Sequence, residues 1–306
     1  MSRSHPADRA TVAPSPLNSE LLRSWPMPID PKAGKLDRGT VLVIGGSTRT
    51  AGAVVLAGLA ALRVGAGRLQ IATVEPVSPS LAAAIPEALV EGLPHVPSGA
   101  IDATDLGERL HKRLSAAQAV LIGPGFEDLE ASTAAVADVI PHIDPRAVVV
   151  VDALGLLAMS QLPADTTAPL RGRLALTPNR PEATDLVPMT PSNTDPWEIV
   201  TSAAERYGAV VSMEGHVAAA DGRRWLNDER VSGLGMSGSG DVLTGLVAGG
   251  AAQHADVAWA TCRATYLHLA AGKAAAQRIG PIGYFARELL EPIPRILCDI
   301  TTVAGS

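Results

Sequence analysis

The chain has 306 residues, 47% of them hydrophobic and only 3% aromatic, with 29 Gly, 24 Pro and a net charge of -6. That balance excludes general disorder, and scattered Lys and Arg exclude a dedicated nucleic-acid surface. No apolar run reaches the ~18 residues of a membrane span, and no secretory signal or disulfide framework is expected, since the only cysteines are Cys262 and Cys298. Residues 1–30 are rich in Pro and Ser and show no period, so a loosely ordered arm is expected there, with Leu21, Leu22 and Trp25 docking on the body. Residues 31–306 read as one domain.

Six short apolar runs then recur, at 41–44, 69–72, 119–122, 148–151, 174–176 and 210–213. Their continuous apolar character predicts strands buried on both faces. Helical spacing separates them at 51–64, 105–114, 132–140 and 197–207, the last ending at Gly208 as a C-terminal stop would. Asp221-Gly222 predicts a hairpin turn, and 239–279 reads as helical throughout. Alternating strands and helices predict an α/β fold with a mostly parallel sheet covered on both faces. A core with so few rings must be built from Ala, Val, Leu and Ile, which lets elements approach closely.

Ligands of such sheets bind beyond the carboxyl ends of the strands, so the polar residues after each run are the candidates. Gly45-Gly46-Ser47 with Gly52-Ala53 offers backbone N–H groups to an anion or makes a tight turn. It is not a G-x-G-x-x-G fingerprint. Gly123-Pro124-Gly125 permits close approach of a ligand to the main chain or forms a plain turn. Asp152 follows the most apolar run, either as a carboxylate that is paired or bound to a cation or as the cap of the helix after it. Asn179 and Glu182, three apart, either order water around Mg²⁺ or form a capping box. The sharpest signal is Gly238-Ser239-Gly240-Asp241 at a helix start, where open N–H groups and the dipole favour an anion. Asp241 there adds like charge to a bound phosphate, which suits a general base. The seven His are dispersed with no H-x-x-x-H pair, so no zinc site is expected, and His268 reads as a packing residue.

The order of these motifs resembles the ribokinase-like superfamily, and within it the ADP/ATP-dependent NAD(P)H-hydrate dehydratase family, often labelled carbohydrate kinase. The stretches that carry the resemblance are 41–47, Gly52-Ala53, 60–67, 122–125, 151–153, 176–182 and 238–245, within residues 35–297. The resemblance implies a three-layer sandwich and the dehydration of hydrated NADH or NADPH (NADHX, NADPHX). ADP or ATP would activate the 6-hydroxyl, with Mg²⁺ assisting, in a cytoplasmic homotetramer. Carried over by position, Asp241 is the base and Gly238, Ser239 and Gly240 form the anion hole. Ala53, Gly125, Asn179 and Asp241 line the substrate pocket. Glu214, Gly215, His216, Val217 and Gly240 border the nucleotide, and Asn179 and Glu182 hold the metal through water. The chain has Thr50, Leu154 and Glu214 where the family usually has Tyr, Asp and Lys. A kinase that phosphorylates an alcohol and a non-catalytic nucleotide-binding paralogue are the alternatives.

Overall fold

The six apolar runs become six strands of one ten-stranded sheet in a computed structural model that describes residues 13–25, 32–187, 195–253 and 256–301. In chain order the elements are β1 (Ser15–Pro16), α1 (Ser19–Ser24), β2 (Thr40–Ile44), α2 (Ala51–Arg63), β3 (Arg68–Val74), α3 (Ser78–Ala84), β4 (Ala88–Leu93) and α4 (Gly107–Leu114). There follow β5 (Ala119–Ile122), α5 (Leu129–Val139), β6 (Val148–Val151), α6 (Leu154–Ser160), α7 (Ala164–Thr167), β7 (Leu174–Leu176), α8 (Arg180–Leu186) and α9 (Pro196–Tyr207). The last are β8 (Ala209–Met213), β9 (His216–Ala219), β10 (Arg224–Leu226), α10 (Ser239–Ala252), α11 (Val257–Arg278) and α12 (Ile293–Asp299).

The strand order is β1-β10-β9-β8-β7-β6-β5-β2-β3-β4. All neighbours are parallel except β8–β9 and β9–β10, whose hairpin turns on Gly222 at φ +92°. Alternate residues of the central strands enter opposite cores. Val41 and Val43 of β2 belong to the core shared with α2, α10 and α11, while Leu42 and Ile44 belong to the core shared with α4, α5, α6, α8 and α9. Every residue of β2 is therefore buried, and the sheet is the middle of three layers. No described helix is long and apolar enough to cross a membrane.

Small residues set the spacing of the first layer. A Cβ on Gly245 of α10 would collide with the Ala57 carbonyl oxygen of α2, and one on Gly249 would lie 2.5 Å from that of Ala61. The two helices thus meet backbone to backbone, which bulky rings would prevent. The helical pattern at 239–279 resolves into two helices. Asp256 begins the second by accepting hydrogen bonds from the N–H groups of Ala258 and Trp259.

Residues 13–25, expected as part of a loose arm, are bound to the body. β1 pairs with β10, Leu22 is fully buried, and Trp25 meets Trp225 edge-on at 6.0 Å. Residues 1–12 and 26–30 of that arm lie outside the described residues. The chain leaves β2 for β3 and β4 on one side and later returns as β5 on the other. This reversal opens a crevice beyond the carboxyl ends of β2 and β5, the usual ligand position in such sheets.

Candidate functional site

Two adjoining regions lie along the carboxyl edge of the sheet. The first is the crevice after β2 and β5. Gly46 N–H donates to the Pro124 carbonyl at 2.7 Å, so the two glycine turns are joined through their backbones. Thr50 Oγ1 donates to the Gly125 carbonyl at 2.6 Å, and the Ser47 hydroxyl donates to the Glu127 carboxylate, which also pairs with Arg49 at 3.1 Å. A Cβ on Gly125 (φ +73°) would lie 3.2 Å from Ala53 Cβ. Ala53 and Gly125, both expected in the substrate pocket, are thus neighbours.

The second region is a cavity of about 610 Å³ after β6, β7 and β8. Asp152, Thr177, Asn179, Glu182, Glu214, Gly215 and His268 line it, together with Gly238, Ser239, Gly240 and Asp241. Ala53 and Gly125 are not among its lining residues, but the two regions touch. A Cβ on Gly238 would lie 2.6 Å from Leu56 Cδ1, one turn along α2 from Ala53.

The start of α10 leaves backbone N–H donors open. Gly238 caps it at φ +86°, a conformation that favours glycine, and no side chain caps the helix. The first α-helical bond runs from Val242 N–H to the Gly238 carbonyl at 3.2 Å. The N–H groups of Gly240 and Asp241 precede it, so they have no acceptor within the helix. Ser239 Oγ lies 2.9 Å from His268 Nε2 on α11. Burial pushes the His268 imidazole down to about 4, so it is neutral at pH 7 and ties the two helices together. No linear pattern links residues 29 apart, so His268 reads as mere packing from the sequence.

Three of the carboxyl groups that line this cavity, Asp152, Glu182 and Asp241, are raised above the usual carboxylate range. Burial, then the charge of Glu182, raises Asp241 to about 6. Burial, then Glu182, raises Asp152 to about 7, although Asp152 Oδ1 accepts a 2.8 Å hydrogen bond from Thr177. Burial also raises Glu182. Asp152 does not cap α6. The cap position is Ala153, at φ +51° and with no side-chain bond. Asn179 and Glu182 do form a capping box, each side chain accepting the other's backbone N–H at 2.9 Å.

Glu214 and Gly215 form the two-residue turn between β8 and β9, both with positive φ (+50° and +82°), as such a turn requires. A side chain on Gly215 would strike the Asn227 carbonyl oxygen. Arg180, at the start of α8, grips Glu214 with two bonds, at 3.2 and 2.7 Å, and holds its carboxyl below the usual range. His216 and Val217, expected beside a nucleotide, are buried in β9 and do not line the cavity. His216 meets Trp197 edge-on at 4.8 Å. Glu229 and Arg230 do line it, from a loop that carries no sequence motif.

Residues 41–295 match the family model described as NAD(P)H-hydrate dehydratase. The ADP-dependent (S)-NAD(P)H-hydrate dehydratase of Xanthomonas campestris pv. campestris is 40% identical over 282 residues, covering 90% of this chain and 93% of its own. The chain spans about half the length of the bifunctional NAD(P)H-hydrate repair enzymes it also resembles, such as that of Moorella thermoacetica (35% identical, 86% of this chain and 50% of that one). Among solved structures, a ribokinase-like superfamily protein from Enterococcus faecalis shares the fold with a TM-score of 0.81 at 19% identity, over 98% of this chain and 99% of that one. The ADP/ATP-dependent NAD(P)H-hydrate dehydratase of Bacillus subtilis, co-crystallised with ATP and Mg²⁺, has a TM-score of 0.75 at 26% identity, over 94% of this chain and 98% of that one. By the family match over most of its length and by the 40% identity, this chain belongs to the NAD(P)H-hydrate dehydratase family.

Proposed function

We propose that this chain restores NADH or NADPH from the hydrated nucleotide, consuming ADP or ATP with Mg²⁺. The observation that carries this reading is Asp241, a carboxylate in the first turn of a helix whose open N–H groups suit a phosphate. A group that only bound phosphate would not be negative. Raised to about 6, Asp241 is ionised at neutral pH and still basic enough to accept a proton.

In this reading the hydrated ring lies over the Ala53–Gly125 crevice and the nucleotide lies in the cavity, with Asp241 between them. Asp241 takes the proton of the 6-hydroxyl as its oxygen bonds to the terminal phosphorus, and the bond from phosphorus to the rest of the nucleotide breaks. The N–H groups of Gly240 and Asp241 donate to the phosphoryl oxygens as charge moves onto them. The ring C–O bond then breaks with loss of a proton from the neighbouring carbon. That step restores the double bond and releases phosphate.

The donor set fits a hard divalent cation. Asp152, Glu182 and Asp241 present carboxyl oxygens to one cavity, and their mutual repulsion favours a cation as it favours protons. Glu182 and Asn179 would hold Mg²⁺ through water, where it supplies positive charge to the phosphates. Glu214 stands where the family usually has Lys, but Arg180 neutralises it.

Phosphate release tests the reading against its alternatives. One phosphate freed per NADH restored supports dehydration. A phosphorylated alcohol that persists would show a kinase, and nucleotide binding without turnover would show a non-catalytic protein.

A further inference from the structure

The histidines are scattered in the sequence, yet the fold stacks two of them. His111 lies on α4, Asp138 on α5, and His142 ends the 3-10 turn Ile140–His142 that follows α5. The imidazole centroids are 3.6 Å apart with planes at 12°, and His111 Nε2 lies 3.2 Å from Asp138 Oδ2. One ligand atom from each of the three residues lies within 4.8 Å of the other two. Two imidazole nitrogens and a carboxylate oxygen suit a borderline divalent ion such as Zn²⁺ rather than Mg²⁺.

A second observation points to a cation. Asp138 also forms part of the wall of a separate cleft of about 670 Å³. The charged lining of that cleft is Asp102, Asp128, Glu130 and Asp138, with no Lys, Arg or His among its lining residues. Asp138 is the residue that the cleft shares with the cluster, so a cation drawn into the cleft meets one of the three ligands. The cluster is also remote from the catalytic cavity. His111 and His142 shortly precede β5 and β6, towards the amino ends of the strands, whereas the cavity lies beyond the carboxyl ends. The two share no lining residue.

We propose that His111, Asp138 and His142 bind one Zn²⁺-class ion, with water completing its shell. Ligand atoms around a tetrahedral zinc lie about 3.4 Å apart, so the ion draws the three groups together and tilts the rings out of their stack. It ties α4 to the end of α5.

The test titrates Zn²⁺, and Co²⁺ as a coloured substitute, into the full chain carrying Cys298→Ser, because Cys298 is an exposed thiol. The expected result is one ion per chain, not displaced by Mg²⁺. His111→Gln and His142→Gln should each weaken binding by about tenfold or more and remove the Co²⁺ visible bands, with dehydratase turnover unchanged. His142→Gln keeps the test open should His111→Gln fail to fold. No Zn²⁺ bound by the full chain, or full affinity retained in the His variants, overturns the proposal.

Discussion

Replacing Asp152 by Asn should stabilise the protein, and by more at about pH 8 than at about pH 5. Burial first, and the charge of Glu182 second, raise this carboxyl from 3.8 to about 7 in the fold. At ~1.4 kcal/mol per pH unit, that displacement is worth on the order of 4 kcal/mol. The unfolded chain releases the proton near 3.8 and the folded chain holds it to about 7. Between those values the native state binds more protons, so wild-type stability falls as pH rises through that window. The penalty is nearly absent below about pH 4 and complete above about pH 7. Asn carries no charge and keeps an oxygen for the 2.8 Å bond from Thr177. The variant should therefore gain roughly 2 kcal/mol at about pH 5 and roughly 4 kcal/mol at about pH 8. Urea denaturation of both proteins at the two pH values reads the difference. A variant less stable than wild type at the higher pH, or a gain that does not grow with pH, would refute the reasoning.

The rate should follow the ionisation of Asp241, with kcat/KM rising as pH passes about 6. Glu182→Gln removes a neighbouring like charge and should move that limb to lower pH, as a pH–rate profile would show. Gly245→Val drives a side chain into the Ala57 carbonyl and should cost about 1–3 kcal/mol, seen as a lower denaturation midpoint. Arg180→Ala breaks an ion pair whose side chains are 41% and 38% exposed, so stability should change by less than ~1 kcal/mol. The freed Glu214 carboxylate at the cavity should nevertheless raise KM for the nucleotide more than it lowers kcat.

The sheet centre is legible because strands covered on both faces carry continuous apolar runs, as at 41–44 in β2 and throughout β5 and β6. β4 is hidden because it lies at the sheet edge, all but its last residue keep some exposure, and Glu91 and Gly92 interrupt its apolar residues. β1 is a two-residue strand of Ser and Pro, ordered by its pairing to β10 and not by its own propensity. Within the site, the helix start at 238–241 is legible because its Gly, Ser and Asp residues are contiguous in the chain. Asn179 and Glu182 stay ambiguous because a capping box and a water-ordering pair use the same spacing, and the backbone here adopts the box. The Ser239–His268 and Arg180–Glu214 contacts join residues 29 and 34 apart, and only the packing of α11 on α10 and the β8–β9 turn bring them together.

The central claim is that Asp241 is the base of a nucleotide-driven dehydration. The most direct measurement mixes purified protein with hydrated NADH, Mg²⁺ and either ADP or ATP, and follows the near-ultraviolet absorbance of reduced nicotinamide. Wild type should restore that absorbance, and Asp241→Asn, with its fold intact, should lose about 10²-fold or more in rate. No turnover by the wild type with either nucleotide, or full turnover by the folded Asp241→Asn variant, would contradict the account.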